Sequence, residues 1–149
     1  MSDFPAEFWE GVAQFNQRQF YDCHDTLEAI WMEAMEPERT FYQGILQIAV
    51  ALYHMSNGNG RGATMLLGEG IRRLGRYQPE YGGVDVEDLV SQSAAVLGSL
   101  QQDGPECAAD LWRSLISPAA PSGAVAGAAA GAADLDSSLP MLPVIHVLG

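Results

Sequence analysis

The chain has 149 residues, enough for one domain with its own core, and carries 7 Lys and Arg against 19 Asp and Glu, a formal net charge of -12. Phosphate backbones and anionic lipid surfaces repel such a surface, which sets nucleic acid and membrane aside as partners and leaves a protein or a small molecule. The two cysteines, Cys23 and Cys107, are far apart and form no CxxC pair, so they suit reduced thiols in a cytoplasmic protein better than a disulfide framework.

The start, MSDFPAEFWEG, has neither a basic n-region nor an apolar h-region, so no secretory signal is expected. PAEFWEGVAQFNQRQ opens the first helix with Pro5 in its first turn, and Phe8, Val12 and Phe15 then recur at helical spacing with Trp9 beside them. FYDCHDTLEAIWMEA, residues 20 to 34, is the second helix, and Pro37 in MEPER disfavours helix at Glu36. The third runs from about Arg39 to Met55 and stops at SNGNGRG, dense in residues that tolerate left-handed backbone. Its apolar run GILQIAVALYHM contains Gln47 and His54 and is far shorter than the ~20 residues a membrane span needs. RGATMLLGEGIRRLGRY makes a fourth helix with Met65, Leu66, Leu67, Ile71 and Leu74 inward, and its glycines suggest close packing against a neighbour. DVEDLVSQSAAVLGSLQQ makes a fifth with Val86, Leu89, Val90, Leu97 and Leu100 inward, and PECAADLWRSLI a short sixth. No stretch alternates with period two for long enough to mark a strand. The expected fold is an all-α bundle of five to six helices over residues 1–117.

Composition changes near residue 117. Residues 118–149 are rich in Ala, Gly, Ser and Pro and poor in charge, which predicts a flexible tail. Its last stretch, LPMLPVIHVLG, is apolar enough to dock on the domain or on a partner, although an unstructured end is the commoner behaviour of termini.

Polar residues interrupt the core pattern in three places. On the second helix Phe20, His24, Leu27 and Trp31 form a stripe that carries His24 toward the core, with Glu28 one turn beyond it at the stripe's edge. Asp25 points to water, and Cys23 is displaced to the other side. On the third helix Gln43, Gln47 and His54 run beside the ridge Phe41, Ile45, Ile48 and Leu52. Counted from a turn at Pro37, His24 and His54 differ by about four residues, roughly 6 Å along the axes, so His24, Glu28, Gln47 and His54 can meet after modest shifts. Burying that many polar groups costs about 1–3 kcal/mol for each left unpaired, so they form either a closed hydrogen-bond network or a site. His24, Glu28 and His54 could supply two nitrogens and a carboxylate to a divalent metal, but the pattern is neither HExxH nor a pair of ExxH helices. Arg39 is expected to pair with Glu36 or a carboxylate of the second helix. Asn59 is expected to cap the fourth helix, with an anion site helped by Arg61 as the alternative. Adjacent residues on a helix diverge by about 100°, which argues against a Cys23–His24 nucleophilic pair.

The segments FNQRQFYDCHDTLEAIW, RTFYQGILQIAVALYH and GNGRGATMLL together resemble the bacterial family catalogued as domain of unknown function 309, over roughly residues 8 to 78. The matching positions are His24, Asp25, Leu27, Glu28 and Trp31, then Arg39, Phe41, Gln43, Gly44, Gln47 and His54, then Gly58, Asn59, Gly62 and Ala63. The resemblance implies a small all-helical intracellular domain and no assigned activity. Expected from the residues is a helical domain with a polar pocket of His24, Glu28, Trp31, Arg39, Gln43, Gln47, His54 and Asn59, acting as a structural network or a small-ligand or metal pocket. A metal-assisted hydrolase with Glu28 as base, or an interaction module using the acidic surface and tail, are the alternatives.

Overall fold

The computed structural model describes residues 4–116 and 141–148. Six α-helices account for most of them: α1 (Ala6–Asn16), α2 (Phe20–Glu33), α3 (Glu38–Ser56), α4 (Gly60–Leu74), α5 (Val86–Asp103) and α6 (Ala108–Ile116). The expected all-α architecture is the observed one, and the helix ends lie within a few residues of those read from the sequence. Short 3-10 turns, Gly75–Tyr77 and Pro105–Cys107, extend α4 and introduce α6.

The unexpected element is a hairpin of β1 (Glu80–Tyr81) and β2 (Val84–Asp85), paired antiparallel. Its turn is Gly82–Gly83, with φ of 56° and 90°. Two successive residues at positive φ make the tight turn that matches the twist of paired strands, and Gly-Gly adopts it without a side-chain penalty. Two-residue strands are too short to show alternation, so the Gly-Gly pair was their usable signal.

The third helix is the centre. Phe41, Ile45, Ile48, Leu52 and Met55 are fully buried, and Tyr42, Ala49 and Ala51 bury a second side, so α3 is enclosed between α2 and α4. Contact with α4 is close because both surfaces carry glycine. A Cβ on Gly70 would fall 2.8 Å from Ile48 Cδ1 and 2.9 Å from the Gly44 carbonyl oxygen. The fourth helix therefore buries Gly60, Ala63, Leu67, Gly70 and Leu74. Met65, expected inward, is exposed, while Leu66 and Ile71 lie at the edge. On α5 the buried face is Val86, Leu89, Ser93, Val96 and Leu100, with Val90 and Leu97 beside it.

At one end of the core, Phe4, Phe8, Phe41, Tyr42, Tyr77 and Tyr81 form a group of aromatic rings with centroids 4.4–5.9 Å apart. Such contacts add about 0.5–1.5 kcal/mol per pair to simple burial and tie the hairpin to α1 and α3. The Tyr77 hydroxyl donates to the Pro37 carbonyl at 2.7 Å, and the Tyr81 hydroxyl donates to Glu38 Oε2 at 3.0 Å.

The expected tail divides. Residues 117–140 lie outside the described residues. Residues 141–148 sit against the domain, with Leu142, Pro143 and Ile145 buried. The docking alternative read from LPMLPVIHVLG describes this segment. Among the described residues, no helix is long and apolar enough to cross a membrane.

Candidate functional site: a cavity between three helices

The second helix is rotated relative to the expected stripe. Its buried residues are Phe20, Cys23 and Leu27, so Cys23 takes the core place assigned to His24. The thiol buries at little cost, whereas an imbedded imidazole needs partners for two ring nitrogens. Burial pushes the Cys23 thiol up to about 12, which leaves it protonated and inert at neutral pH. His24 lies at the edge instead, with its Nδ1 3.4 Å from Asp25 and its Nε2 4.0 Å from Glu28.

The expected pocket separates into three groups. Glu28, Trp31, Gln43 and Gln47 line one cavity of about 260 Å³, completed by Leu46, Val50 and Leu66. The second helix supplies Glu28 and Trp31, α4 supplies Leu66, and the other four come from α3. Arg39 is near this group, with its guanidinium carbon 4.4 Å from the Trp31 ring centre and Nη1 donating to the Ala34 carbonyl. The expected Arg39–Glu36 pair is replaced, because Glu36 accepts from the Thr40 amide and hydroxyl. These bonds hold the Glu36 carboxyl below its ordinary range.

Gln47 is the most fixed polar group of the cavity, at 8% exposure. Its Nε2 donates to Glu69 Oε1 at 3.0 Å, and its Oε1 accepts from Arg73 Nε at 3.0 Å. A carboxylate only accepts and a guanidinium only donates, so these partners dictate the amide's orientation. Sequence reading missed Glu69 and Arg73. Their spacing of four on α4 places them on one face, which was the available clue.

His54 stands apart. Asn59 Nδ2 donates to His54 Nδ1 at 3.4 Å, and Asn59 Oδ1 accepts from the Gly62 amide at 3.0 Å. Asn59 is thus the cap of α4, as expected, and His54 supports that cap. Neither residue lines the cavity, and the expected convergence of His24 with Gln47 and His54 is not formed. The rings of Tyr21 and Tyr53 stand between the histidines, at centroid steps of 5.8, 5.2 and 6.2 Å. Both histidines are half-buried where burial was expected.

The metal set changes accordingly. Among the described residues, His24, Asp25 and Glu28 bring donor atoms within 4.8 Å of one another, with Asp25 in the place foreseen for His54. One imidazole and two carboxylates have the chemistry of a divalent-cation site. All three come from one helix, with Asp25 exposed and His24 and Glu28 half-buried.

Comparison with known proteins gives no activity. Residues 8–66 match the family model described as Domain of unknown function (DUF309). The chain is 33% identical over 100 residues, 66% of its length, to the Uncharacterized protein YpuF of Bacillus subtilis (strain 168). It spans about half, 55%, of that relative's length. No solved structure matches. Every residue lining the cavity falls inside the matched segment. From its HDTLEAIW segment to its GNGRGA turn, the chain resembles the DUF309 family.

Proposed function

We propose that the chain is a binding module that holds a small amphipathic amine in the cavity between α2, α3 and α4. The lining carries this reading: Trp31, Leu46, Val50 and Leu66 give an apolar wall, and Glu28, Gln43 and Gln47 give polar anchors. A volume of about 260 Å³ lies just under the ~300–1,000 Å³ typical of drug-sized ligands, which fits a metabolite. Glu28 favours a cationic end. The Trp31 indole N–H is buried without a partner and suits an acceptor on the ligand. Gln47 is held by Glu69 and Arg73, so its side chain needs no reordering when a ligand arrives.

A reducing compartment such as the cytoplasm suits this proposal, since Cys23 and Cys107 are both free thiols. The net charge of -12 favours cationic ligands over nucleic acid or anionic membrane. Neither the metal-assisted hydrolase nor the acidic interaction module gains support from the family or the relative. The test is a thermal-shift and calorimetric screen of branched aliphatic and aromatic amines against the full chain. A binder should lose at least about tenfold in affinity with Glu28→Gln and with the cavity-filling Val50→Trp, while both variants stay folded. Binding that survives both changes refutes the assignment.

A further inference from the structure

We propose that a second cavity, beside the hairpin, binds a zwitterionic α-amino acid with an apolar side chain. This cavity has a volume of about 530 Å³, inside the ~300–1,000 Å³ range of small-molecule sites. It shares no lining residue with the cavity between α2, α3 and α4. Glu36 and Pro37 reach it from the connection between α2 and α3, Arg76 and Tyr77 from the 3-10 turn after α4, and Glu80 and Tyr81 from β1.

Opposite charges line this cavity without meeting. Among the described residues, Arg76 has no hydrogen-bond or ion-pair partner, although Glu36 and Glu80 share the cavity with it. Each carboxylate is anchored elsewhere. Glu36 accepts from the Thr40 amide at 3.0 Å and from the Thr40 hydroxyl at 2.7 Å, and Glu80 Oε2 accepts from the Gly83 amide at 2.8 Å. These bonds hold the carboxylates to their own turns and keep them from folding onto the guanidinium. Glu80 Oε1 is left as an open acceptor among the described residues. A singly charged ligand satisfies one side of the cavity and leaves the other. A zwitterion satisfies both: its carboxylate takes the paired N–H donors of Arg76, and its ammonium donates to Glu80.

The remaining wall is apolar. The Tyr77 and Tyr81 rings meet with centroids 4.8 Å apart and planes at 62°, and Pro37 adds its ring. Both hydroxyls are engaged within the protein, Tyr77 with the Pro37 carbonyl and Tyr81 with Glu38, so the rings offer carbon surface rather than donors. That surface selects an apolar side chain beside the two charges. Glu36, Arg76 and Glu80 are exposed, so the ligand enters without movement of the chain, and the water around each charge pair keeps affinity modest.

The probe is L-phenylalanine, titrated into the full-length, isotope-labelled chain and followed by amide chemical shifts. The amides of Arg76, Tyr77, Gln78 and Tyr81 should shift saturably, and every affinity is read from them. Phenylethylamine lacks the carboxylate and phenylpropionate lacks the ammonium, so each should bind there about three- to fivefold more weakly, the upper range of a water-exposed pair. Arg76→Met should weaken L-phenylalanine by the same factor and leave phenylethylamine unchanged. Glu80→Gln keeps an oxygen for the Gly83 amide and should weaken L-phenylalanine but not phenylpropionate. Val50→Trp, which fills the first cavity, should alter none of these results. The proposal is overturned by the absence of saturable shifts at these amides, by equal affinity for the three ligands, or by variants that weaken all three alike. Shifts confined to Trp31, Leu46 and Leu66, or a loss with Val50→Trp, also overturn it, and they leave the amine reading of the first cavity standing.

Discussion

Replacing Gln47 by Leu tests how the cavity floor is held. The change keeps the side chain's size and removes one bond to Glu69 and one to Arg73, each 3.0 Å. A hydrogen bond contributes about 0.5–1.5 kcal/mol net, so the two together are worth about 1–3 kcal/mol. Leu recovers part of this through apolar contact with Leu46, Val50 and Leu66, and Glu69 and Arg73 are accessible enough to rehydrate. The expected loss is about 1–2 kcal/mol, a fall in Tm of about 3–8 °C for a domain of this size. Urea and thermal denaturation followed by circular dichroism measure it. Double-mutant cycles separate the two bonds, pairing Gln47→Leu with Arg73→Met and then with Glu69→Met. Each cycle should show coupling of at least about 0.5 kcal/mol, because the residues touch. Additivity within about 0.3 kcal/mol in both cycles would refute the bridging role of Gln47.

Three further outcomes follow from the same structure. In native buffer a thiol reagent should label Cys107, which is half-buried, and spare Cys23 until denaturant is added; equal labelling rates would contradict the burial of Cys23. Burial and its bond to Glu38 push the Tyr81 hydroxyl up to about 12, above the ordinary value of about 10. The folded state thus keeps a proton that the unfolded state releases, so this stabilisation is whole below about pH 10 and is lost as pH climbs through 12. Tyr81→Phe should flatten that alkaline decline only in part, because Tyr42 and Tyr77 are shifted in the same direction. Asn59→Ala removes the cap of α4 and should cost about 1 kcal/mol, whereas Asn59→Gly should cost only a few tenths; equal losses would show that the side-chain oxygen does not cap.

The helices were legible because apolar spacing and Gly/Pro punctuation act within a few residues of each other. Phe41, Ile45, Ile48 and Leu52 show this, since all four are as buried as their spacing predicts. The rotation of α2 was not legible. Phe20 and Leu27 fit a stripe through either Cys23 or His24, and only packing against α1 and α3 chooses between them. Half the cavity was legible for a similar reason. Glu28, Trp31, Gln43 and Gln47 follow from two helices joined by a short turn. His54 does not join them, because it lies near the end of α3, beyond the cavity, where it meets the Asn59 cap of α4. Glu69 and Arg73 lie on a third helix, whose approach is set by Gly44 and Gly70, a contact between backbones. The docked segment was legible only as a possibility, since Asn16 and Gln92, which bond to it, are distant in sequence and look like ordinary surface amides.

Ile145 is bonded to Asn16, 129 residues earlier, and this separation imposes an order on synthesis. A ribosome adding about 5–20 residues per second needs about 2–6 s to travel from Ile116 to Leu148. Over that interval Leu142 and Ile145 have yet to be joined to the chain or have only just been joined, so the seats they fill against the domain stay empty. Every newly made copy passes through this open form once. Exposed apolar seats on neighbouring chains could then join, but each chain repels the next through its excess of carboxylates. The acidity of the surface thus protects the chain at the stage when its last contacts have yet to be made.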